Sequence, residues 1–344
     1  MDKNDMVDLH IHTTYSNGKD SLISVLKHAE ENGVKVISIT DYNTLKSYIE
    51  LKNNIDVTQY YSGKIVIGLE VRCSFTGENG QERCCDMLGY NLELSKIEQM
   101  QEWLEENTDR DKKLMEQIKQ LQHFKNVARE LGLKFDEELE LNPDNNKAGM
   151  AMMQNILKYY EENIKVWPEL ERYKKEPTSA WQEVFTNPNN KFYWNMSQYC
   201  PKIEDFIKQV HNCGGLVFAA HPFAYVSDSK KTEEQAKQDL IKYVEHCLEL
   251  GVDGVECFNQ YNCSLVPNAI AATKALKEYC IKNGIRISGG TDYHQKDIRH
   301  RGIGNLGSEE VQNAESNILW SVIEDWALPV RIDKSKEEKD YSDK

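Results

Sequence analysis

The stretch Val7-Asp-Leu-His-Ile-His-Thr-Thr-Tyr-Ser-Asn-Gly18 decides the fold, because a β-strand pattern ends there in two histidines separated by one residue. Side chains at positions i and i+2 of a strand point to the same face. His10 and His12 can therefore reach one metal ion together, while Leu9 and Ile11 pack on the opposite face. Isolated His-x-His pairs are common, so a metal site requires further ligands elsewhere in the chain.

Composition and charge are typical of a globular protein that works inside the cell. The 344 residues can form one large or two ordinary domains. No apolar run is long enough to span a membrane, and no basic and apolar signal segment is visible at the N-terminus, so we expect a cytoplasmic protein without a membrane partner. Nine cysteines without framework spacing favour a reducing compartment. The net charge of -14 argues against an extended nucleic-acid partner, because such binding depends on basic residues that neutralise phosphates.

Strand and helix patterns alternate along much of the chain. The predicted strands are 6–10, 34–40, 64–70, 83–90, 216–221, 252–258 and 285–290. The predicted helices between them are 20–32, 44–53, 203–212, 233–250 and 268–283. The first strand, helix and strand favour parallel pairing through a right-handed crossover. The alternation as a whole predicts an α/β barrel, in which functional residues lie at the carboxyl ends of the strands.

The middle of the chain has a different composition. Residues 95–200 are charged, rich in Glu, Gln and Lys, and helical in pattern. We therefore predict a barrel made of 1–94 and 201–332, with 95–200 as a helical insertion that covers the active face. The acidic, lysine-rich end at 333–344 is predicted to be disordered.

Histidines and carboxylates follow one predicted strand after another. Beyond the first two histidines, the strand ends supply Asp41, Glu70, His221, Asp292 and His294. Each of these alone can be a helix cap, an ion-pair partner or a buried histidine, but their occurrence together at separate strand ends indicates a shared metal site. Mixed histidine and carboxylate ligands suit zinc, manganese or iron, and a shared carboxylate allows two ions to be bridged.

Five short segments can be compared with known families as an ordered set. They are Asp8-Leu-His-Ile-His-Thr-Thr14, Ile39-Thr-Asp-Tyr-Asn-Thr44, Gly68-Leu-Glu70, Ala220-His-Pro222 and Gly290-Thr-Asp-Tyr-His294. This set resembles the motifs of the PHP (polymerase and histidinol phosphatase) family, from about residue 6 to 306. It is most similar to the stand-alone metal-dependent phosphoesterases. The resemblance implies a distorted seven-stranded TIM-like barrel with a helical insertion.

The resemblance also implies two divalent ions, which would be zinc, manganese or iron. Carried over by position, the ligands are His10, His12, Glu70, Asp86, His221 and Asp292. Glu70 would bridge both ions. Asp86 stands where relatives usually have a histidine. Without the resemblance, Asp86 would be interpreted as a solvent-facing or turn-capping aspartate.

The chain departs from the family pattern at a third metal position. Asn17 and Tyr42 stand where family members commonly have an acidic residue or a histidine. Gly149 stands roughly where a further histidine often occurs, with Lys147 at the position of an arginine. Of this ligand group only His294 remains, so we predict two bound ions rather than three.

The function implied by the resemblance is hydrolysis of a small phosphorylated metabolite or nucleotide by a metal-bound hydroxide. His294 would protonate the leaving oxygen or donate a hydrogen bond to the phosphate, and Asp41 is the second candidate catalytic residue. Lys147, Lys191 and Arg299 are candidate substrate contacts, but each can equally be a solvated basic side chain. The alternative is a catalytically attenuated barrel that binds metal and a phosphorylated ligand without efficient turnover.

Overall fold

The structure is a computed structural model. It describes residues 1–77, 80–108, 110–141, 148–175, 180–185, 187, 190–228, 230–263, 266–295, 302–304 and 318–332. Lys147, Arg299 and the tail at 333–344 lie outside these residues.

The fold is mixed α/β, as the alternating pattern predicts. The strands are β1 (Met6–Ile11), β2 (Val36–Ile39), β3 (Lys64–Ile65), β4 (Gly68–Thr76), β5 (Glu82–Tyr90), β6 (Leu216–Ala219), β7 (Gly254–Phe258), β8 (Arg286–Gly289) and β9 (Ile318–Leu319). The α-helices are α1 (Leu22–Glu31), α2 (Lys46–Asn53), α3 (Ile97–Asn107), α4 (Arg110–Glu130), α5 (Ala148–Lys158), α6 (Tyr160–Asn163), α7 (Leu170–Lys175), α8 (Ile203–Asn212), α9 (Glu233–Glu249) and α10 (Ala269–Asn283).

Helix ends follow local signals in the sequence. The Ser21 hydroxyl accepts a hydrogen bond from the Ser24 backbone N–H and so caps α1. Thr232 and Gln235 form a reciprocal capping box at the start of α9. Gly284 follows α10 with a φ of 65°, a left-handed conformation that glycine adopts without a steric penalty. These short-range contacts explain why the helices were predictable.

The strands form two sheets, with the orders β3-β2-β1-β9 and β4-β5-β6-β7-β8. Pairing is parallel from β1 to β3 and from β6 to β8, and antiparallel from β4 to β6. Isolated bridges link the sheets between Ile11 and Tyr293 and between Tyr42 and Glu70. Among the described residues the ladders do not close into one continuous barrel, but these two bridges bring strand ends of both sheets to one centre.

The strand predicted at 64–70 is wrong in one respect, because the chain changes sheets within it. β3 pairs with β2, whereas β4 pairs with β5. Gly68 lies at the change, where an added Cβ would be 2.5 Å from Ser38 Oγ and 2.8 Å from the carbonyl oxygen of Gly89. The close approach of neighbouring chains therefore requires glycine there.

The described residues form three hydrophobic clusters. The first contains residues of α1, α2, α3 and α8, and the second contains residues of α9 and α10. The third contains only residues between Leu121 and Phe192, within the predicted insertion. The insertion thus has its own packed core, whereas α3 packs against the first cluster. No helix among the residues described above is both long and apolar enough to cross a bilayer.

Candidate metal centre

Five of the predicted ligands surround one buried point at the strand ends. Ligand atoms of His10, His12 and Asp292 all lie within 4.8 Å of one another, and so do those of His10, Glu70 and His221. His10 belongs to both groups. The two groups therefore form one continuous cluster, although they come from β1, from β4 and from the segments after β1, β6 and β8.

The imidazole of His10 is the best test of whether the cluster fits a metal. Its Nε2 is buried without a hydrogen-bond partner among the described residues. It lies 3.5 Å from Glu70 Oε1 and 3.4 Å from Asp292 Oδ1. Buried nitrogen atoms are normally satisfied, and a cation between these three groups would satisfy this one. The donor set of imidazoles and carboxylates fits zinc, manganese or iron.

Glu70 connects the other histidines. Its Oε1 lies 3.1 Å from Nε2 of His221, and its Oε2 lies 3.3 Å from Nε2 of His12. The two oxygen atoms of one carboxylate thus face different imidazoles. This arrangement suits a carboxylate shared between two ligand groups.

Two of the five residues have unusual backbone conformations. His221 has a φ of 27° and Asp292 a φ of 54°, values that are unfavourable for residues with a Cβ. Gly290 lies against His10, since an added Cβ there would be 2.2 Å from the His10 Cβ. Local propensity does not favour this geometry, so contacts with the surrounding structure must maintain it.

Glu256 on β7 was not predicted as a site residue. It is fully buried, with Oε1 2.9 Å from His10 Nδ1, and its Oε2 accepts a hydrogen bond of 2.7 Å from the His221 backbone N–H. A carboxylate behind a ligating histidine sets the tautomer and orientation of the ring. The available signal was a single carboxylate within the apolar strand Gly254-Val-Glu-Cys-Phe258.

Two buried aspartates accept hydrogen bonds from the loops around the cluster. Asp41 accepts hydrogen bonds from the Thr13 backbone N–H at 2.8 Å and from the hydroxyls of Thr13 and Ser16, both at 2.7 Å. Asp8 accepts one of 2.7 Å from the Thr291 hydroxyl, and burial raises its pKa although its hydrogen bonds oppose the rise. The contacts of Asp41 are structural, and its catalytic role stays a prediction.

His294 lies at the rim of the cluster, beside His12. The two ring centroids are 4.4 Å apart. Nδ1 of His294 is 2.8 Å from the Asp292 carbonyl oxygen, and the side chain is partly exposed. This position is compatible with contact to a substrate, and that role remains a prediction.

Asp86 is the predicted ligand that the structure does not bring into either group. Its carboxylate accepts two hydrogen bonds of 2.8 Å from Arg72, through Nε and Nη2. It also accepts hydrogen bonds from the hydroxyls of Tyr42 at 3.2 Å and Tyr225 at 2.7 Å. The described contacts therefore give no support to a metal-ligand role for Asp86, because an arginine already supplies the positive charge.

Tyr42 contacts Asp86 through its hydroxyl group. Burial raises the pKa of Tyr42 well above its usual value, although the nearby Arg72 opposes the rise. The hydroxyl therefore stays protonated at neutral pH and donates a hydrogen bond to Asp86. A neutral phenol is a poor metal ligand, and the number of bound ions stays a prediction.

The basic residues of the insertion are less informative. Lys191 is exposed, and its carbonyl oxygen lies 3.0 Å from Nε2 of His123. None of the described hydrogen bonds or ion pairs joins the Lys191 side chain to the metal centre. Its role as a substrate contact stays a prediction, as do those of Lys147 and Arg299.

The carboxylates of the cluster favour positive charge on the imidazoles of His10 and His221. Burial lowers the pKa of His10, but Glu256, Glu70 and Asp292 outweigh this and hold it well above its usual value. For His221 the same competition between burial and Glu70 raises the pKa to about 9. Burial opposes ionisation of Glu70, yet His10, His221 and His12 hold its pKa well below the usual range. Without metal the carboxylates thus retain protons on the imidazoles of His10 and His221, with which a metal ion would compete.

Comparison with known families agrees with this site. A family model described as the PHP domain matches residues 8–176, which include His10, His12, Glu70 and Asp86. The match to the PHP domain family thus extends over just under half of the chain. His221 and Asp292 lie beyond the matched segment and join the site through the fold.

Solved structures share the fold along most of the chain. A protein from Bifidobacterium adolescentis, provisionally named a metal-dependent phosphoesterase, aligns with a TM-score of 0.52 at 16% identity over 89% of this chain and 93% of its own. An amidohydrolase from Chromobacterium violaceum, with bound sulfate and no metal, aligns with a TM-score of 0.58 at 13% identity over 96% of this chain and 99% of its own. At such identities the similarity shows the fold alone.

One curated relative is closer in sequence but over a short segment. An uncharacterised protein of Methanocaldococcus jannaschii is 37% identical over 75 residues, which are 19% of this chain and 42% of that protein. The chain thus spans less than half the length of this relative. The match adds no function, since none is named for the relative.

Proposed function

We propose that the protein is a metal-dependent phosphoesterase that hydrolyses a small phosphorylated metabolite or nucleotide. The observation that carries this proposal is the pair of ligand groups that overlap at His10. The residues that would hold two divalent ions, zinc, manganese or iron, are His10, His12, Glu70, His221 and Asp292. Such ions lower the pKa of water and stabilise negative charge on phosphoryl oxygens. We further infer that the two linked sheets correspond to the distorted seven-stranded barrel of the family.

Residues of the chain itself would orient the site and move protons. Glu256 holds the His10 ring and the backbone of His221, so that both face the cluster. At the rim of the cluster, Nδ1 of His294 lies 2.8 Å from the Asp292 carbonyl oxygen. His294 would protonate the leaving oxygen, a role that typically contributes about 100-fold or more to the rate.

The test combines metal analysis with a screen of phosphomonoesters and phosphodiesters in the presence of manganese or zinc. We expect about two ions per chain and turnover of at least one ester class. Glu70→Gln keeps the shape of the side chain but removes its charge, so it should lower metal content and abolish hydrolysis together. Glu249→Gln, an identical change on the exposed surface, is the control. A wild-type protein that binds metal but hydrolyses no ester would overturn the proposal.

One observation favours the second candidate, an attenuated barrel that binds a phosphorylated ligand without efficient turnover. Asp86 accepts hydrogen bonds from Tyr42, Arg72 and Tyr225, so neither Asp86 nor the Tyr42 hydroxyl is available to the cluster in this arrangement. Tight binding of inorganic phosphate by the metal-loaded protein, together with negligible turnover, would support this candidate.

A further inference from the structure

A cavity of about 350 Å³ lies between the β4–β5 hairpin, α9 and the helical insertion, and Tyr225, one of its lining residues, lies beside His221 of the metal centre. Aromatic side chains line it, with Tyr193 and Trp194 from the insertion and Tyr225 and Tyr243 from the segment that follows β6. Tyr225 also stacks on His221, with ring centroids 6.0 Å apart. The aromatic wall therefore continues from the cavity to the ligand cluster, and the volume is that of a small-molecule site.

Arg72 links the cavity to the cluster along a single strand. Alternate residues of β4, including Leu69 and Val71, pack into the first hydrophobic cluster. Glu70 and Arg72 occupy the opposite face, about 7 Å apart along the strand. Glu70 faces the histidines, and Arg72 lines the cavity. A ligand bound at the metal centre can thus extend from Glu70 towards Arg72.

The guanidinium of Arg72 is held in a fixed orientation. Its Nε and Nη2 donate to the two oxygens of Asp86, which also accepts from Tyr42 and Tyr225. The Tyr42 ring lies under the guanidinium, 5.9 Å from its central carbon. These bonds use only part of the donor fork, so N–H groups of Arg72 remain for a ligand. The arrangement resembles that of a preorganised anion receptor.

Among the described residues, the cavity lining has more basic than acidic side chains. Arg72 is paired with Asp86, and Lys231 with Asp239. Arg83 and Lys242 also line the cavity, and neither forms an ion pair within the part of the chain that the structure describes. In a chain with a net charge of -14, a local cationic surface attracts anions to this one place.

We infer that Arg72 is a specificity-determining residue that binds an anionic group on the leaving part of the substrate. This inference rests on the proposed function and names its substrate class. The substrate is a phosphoester whose leaving group is planar or apolar and carries a negative charge of its own. The phosphate would lie at the ligand cluster, the body of the leaving group against the aromatic wall, and its anionic group on Arg72.

Two aryl phosphates of equal shape test this inference. 4-Carboxyphenyl phosphate carries the second charge, and 4-carbamoylphenyl phosphate is its neutral counterpart. With the wild-type protein we expect kcat/KM to be about tenfold or more higher for the carboxylate, as one charged hydrogen-bond pair provides. Arg72→Met should remove this preference mainly through KM for the carboxylate. Lys208→Met, on the exposed face of α8, should leave the preference unchanged.

Arg72→Met leaves Asp86 buried without its partner, so a variant with balanced charge is also needed. The double variant Arg72→Met with Asp86→Asn removes the whole pair and should lose the same preference. If the double variant folds and still prefers the carboxylate, Arg83 or Lys242 binds the anionic group and the assignment to Arg72 is wrong.

Binding of non-hydrolysable analogues separates this inference from the proposed function. Calorimetry on the metal-loaded protein would compare (4-carboxybenzyl)phosphonate with (4-carbamoylbenzyl)phosphonate. A preference for the carboxylate of about tenfold that disappears in the double variant supports the inference, even if neither ester is hydrolysed and the phosphoesterase proposal fails. Equal affinities in the wild-type protein would overturn the inference, whether or not the esters are hydrolysed.

Discussion

Two buried carboxylates lie close together in this molecule and have opposite surroundings. Glu70 faces the imidazoles of His10, His12 and His221. Among the described residues, the Nε2 atom of His10 has no hydrogen-bond partner. Asp86, on the adjacent strand, is paired with Arg72 and accepts two further hydroxyl hydrogen bonds. The positive charge beside Glu70 comes from imidazoles that can exchange a proton for a metal ion, whereas Asp86 has the fixed charge of an arginine. A carboxylate in a ligand motif does not by itself make a metal ligand, because its neighbours decide whether positive charge is missing.

The largest effect is expected from removal of the His10 imidazole, which both ligand groups share. His10→Ala should abolish metal binding in both ligand groups, and with it all phosphoester hydrolysis, because both groups contain His10. Metal content per chain and turnover check this result. His123→Ala in the insertion is the control and should retain both. Retention of one tightly bound ion in His10→Ala would show that the groups are independent.

Removing the negative charge of the Arg72–Asp86 ion pair should lower the stability of the protein and leave its metal content unchanged. Asp86→Asn leaves the buried guanidinium of Arg72 without a counter-charge, a defect that costs about 3–5 kcal/mol in comparable pairs. Urea unfolding of the metal-free protein should show this loss, while metal content stays at the wild-type value. Asp205→Asn, on the exposed face of α8, should change neither quantity. Loss of an ion from Asp86→Asn without loss of stability would mean that Asp86 is a ligand after all.

The carboxylate behind His10 should have an intermediate effect. Glu256→Gln keeps a hydrogen bond to the ring but removes the charge, so metal affinity should fall by about 10- to 100-fold. Competition with a chelator measures this change directly. Unchanged affinity would indicate that Glu256 supports only the backbone of His221.

The smallest expected effect is that of removing a single hydroxyl that donates a hydrogen bond to Asp86. Tyr42→Phe removes a donor 3.2 Å from Asp86 and should cost about 1 kcal/mol of the free energy of unfolding. Tyr225→Phe removes a donor at 2.7 Å and should cost more. Thermal unfolding of both variants ranks the two bonds. Gain of a third ion in Tyr42→Phe would instead show that the hydroxyl excludes metal.

Much of the site was predictable because strand ends and helix faces are local features of sequence. His10, His12, Glu70, His221 and Asp292 were all identified from their places at predicted strand ends, and the structure brings them together. Glu256 was missed because its importance comes from two distant partners, the ring of His10 and the backbone of His221. Asp86 was predicted to be a ligand from its place in the family pattern, and that role stays a prediction. Its position in the sequence does not reveal Arg72 as its neighbour across the hairpin.

The sequence by itself determined the alternation of strands and helices and the kinds of side chain at the strand ends. Periodicity, capping residues and glycines act within a few residues, so their effects can be predicted without knowing the partners. Tertiary structure alone decided the division of 64–70 between two sheets and the register that places Arg72 opposite Asp86. It also decided which carboxylates face histidines and which face arginine. Coulomb energies and burial depend on neighbours that are distant in the chain, so charge compensation is determined only when the strands pair.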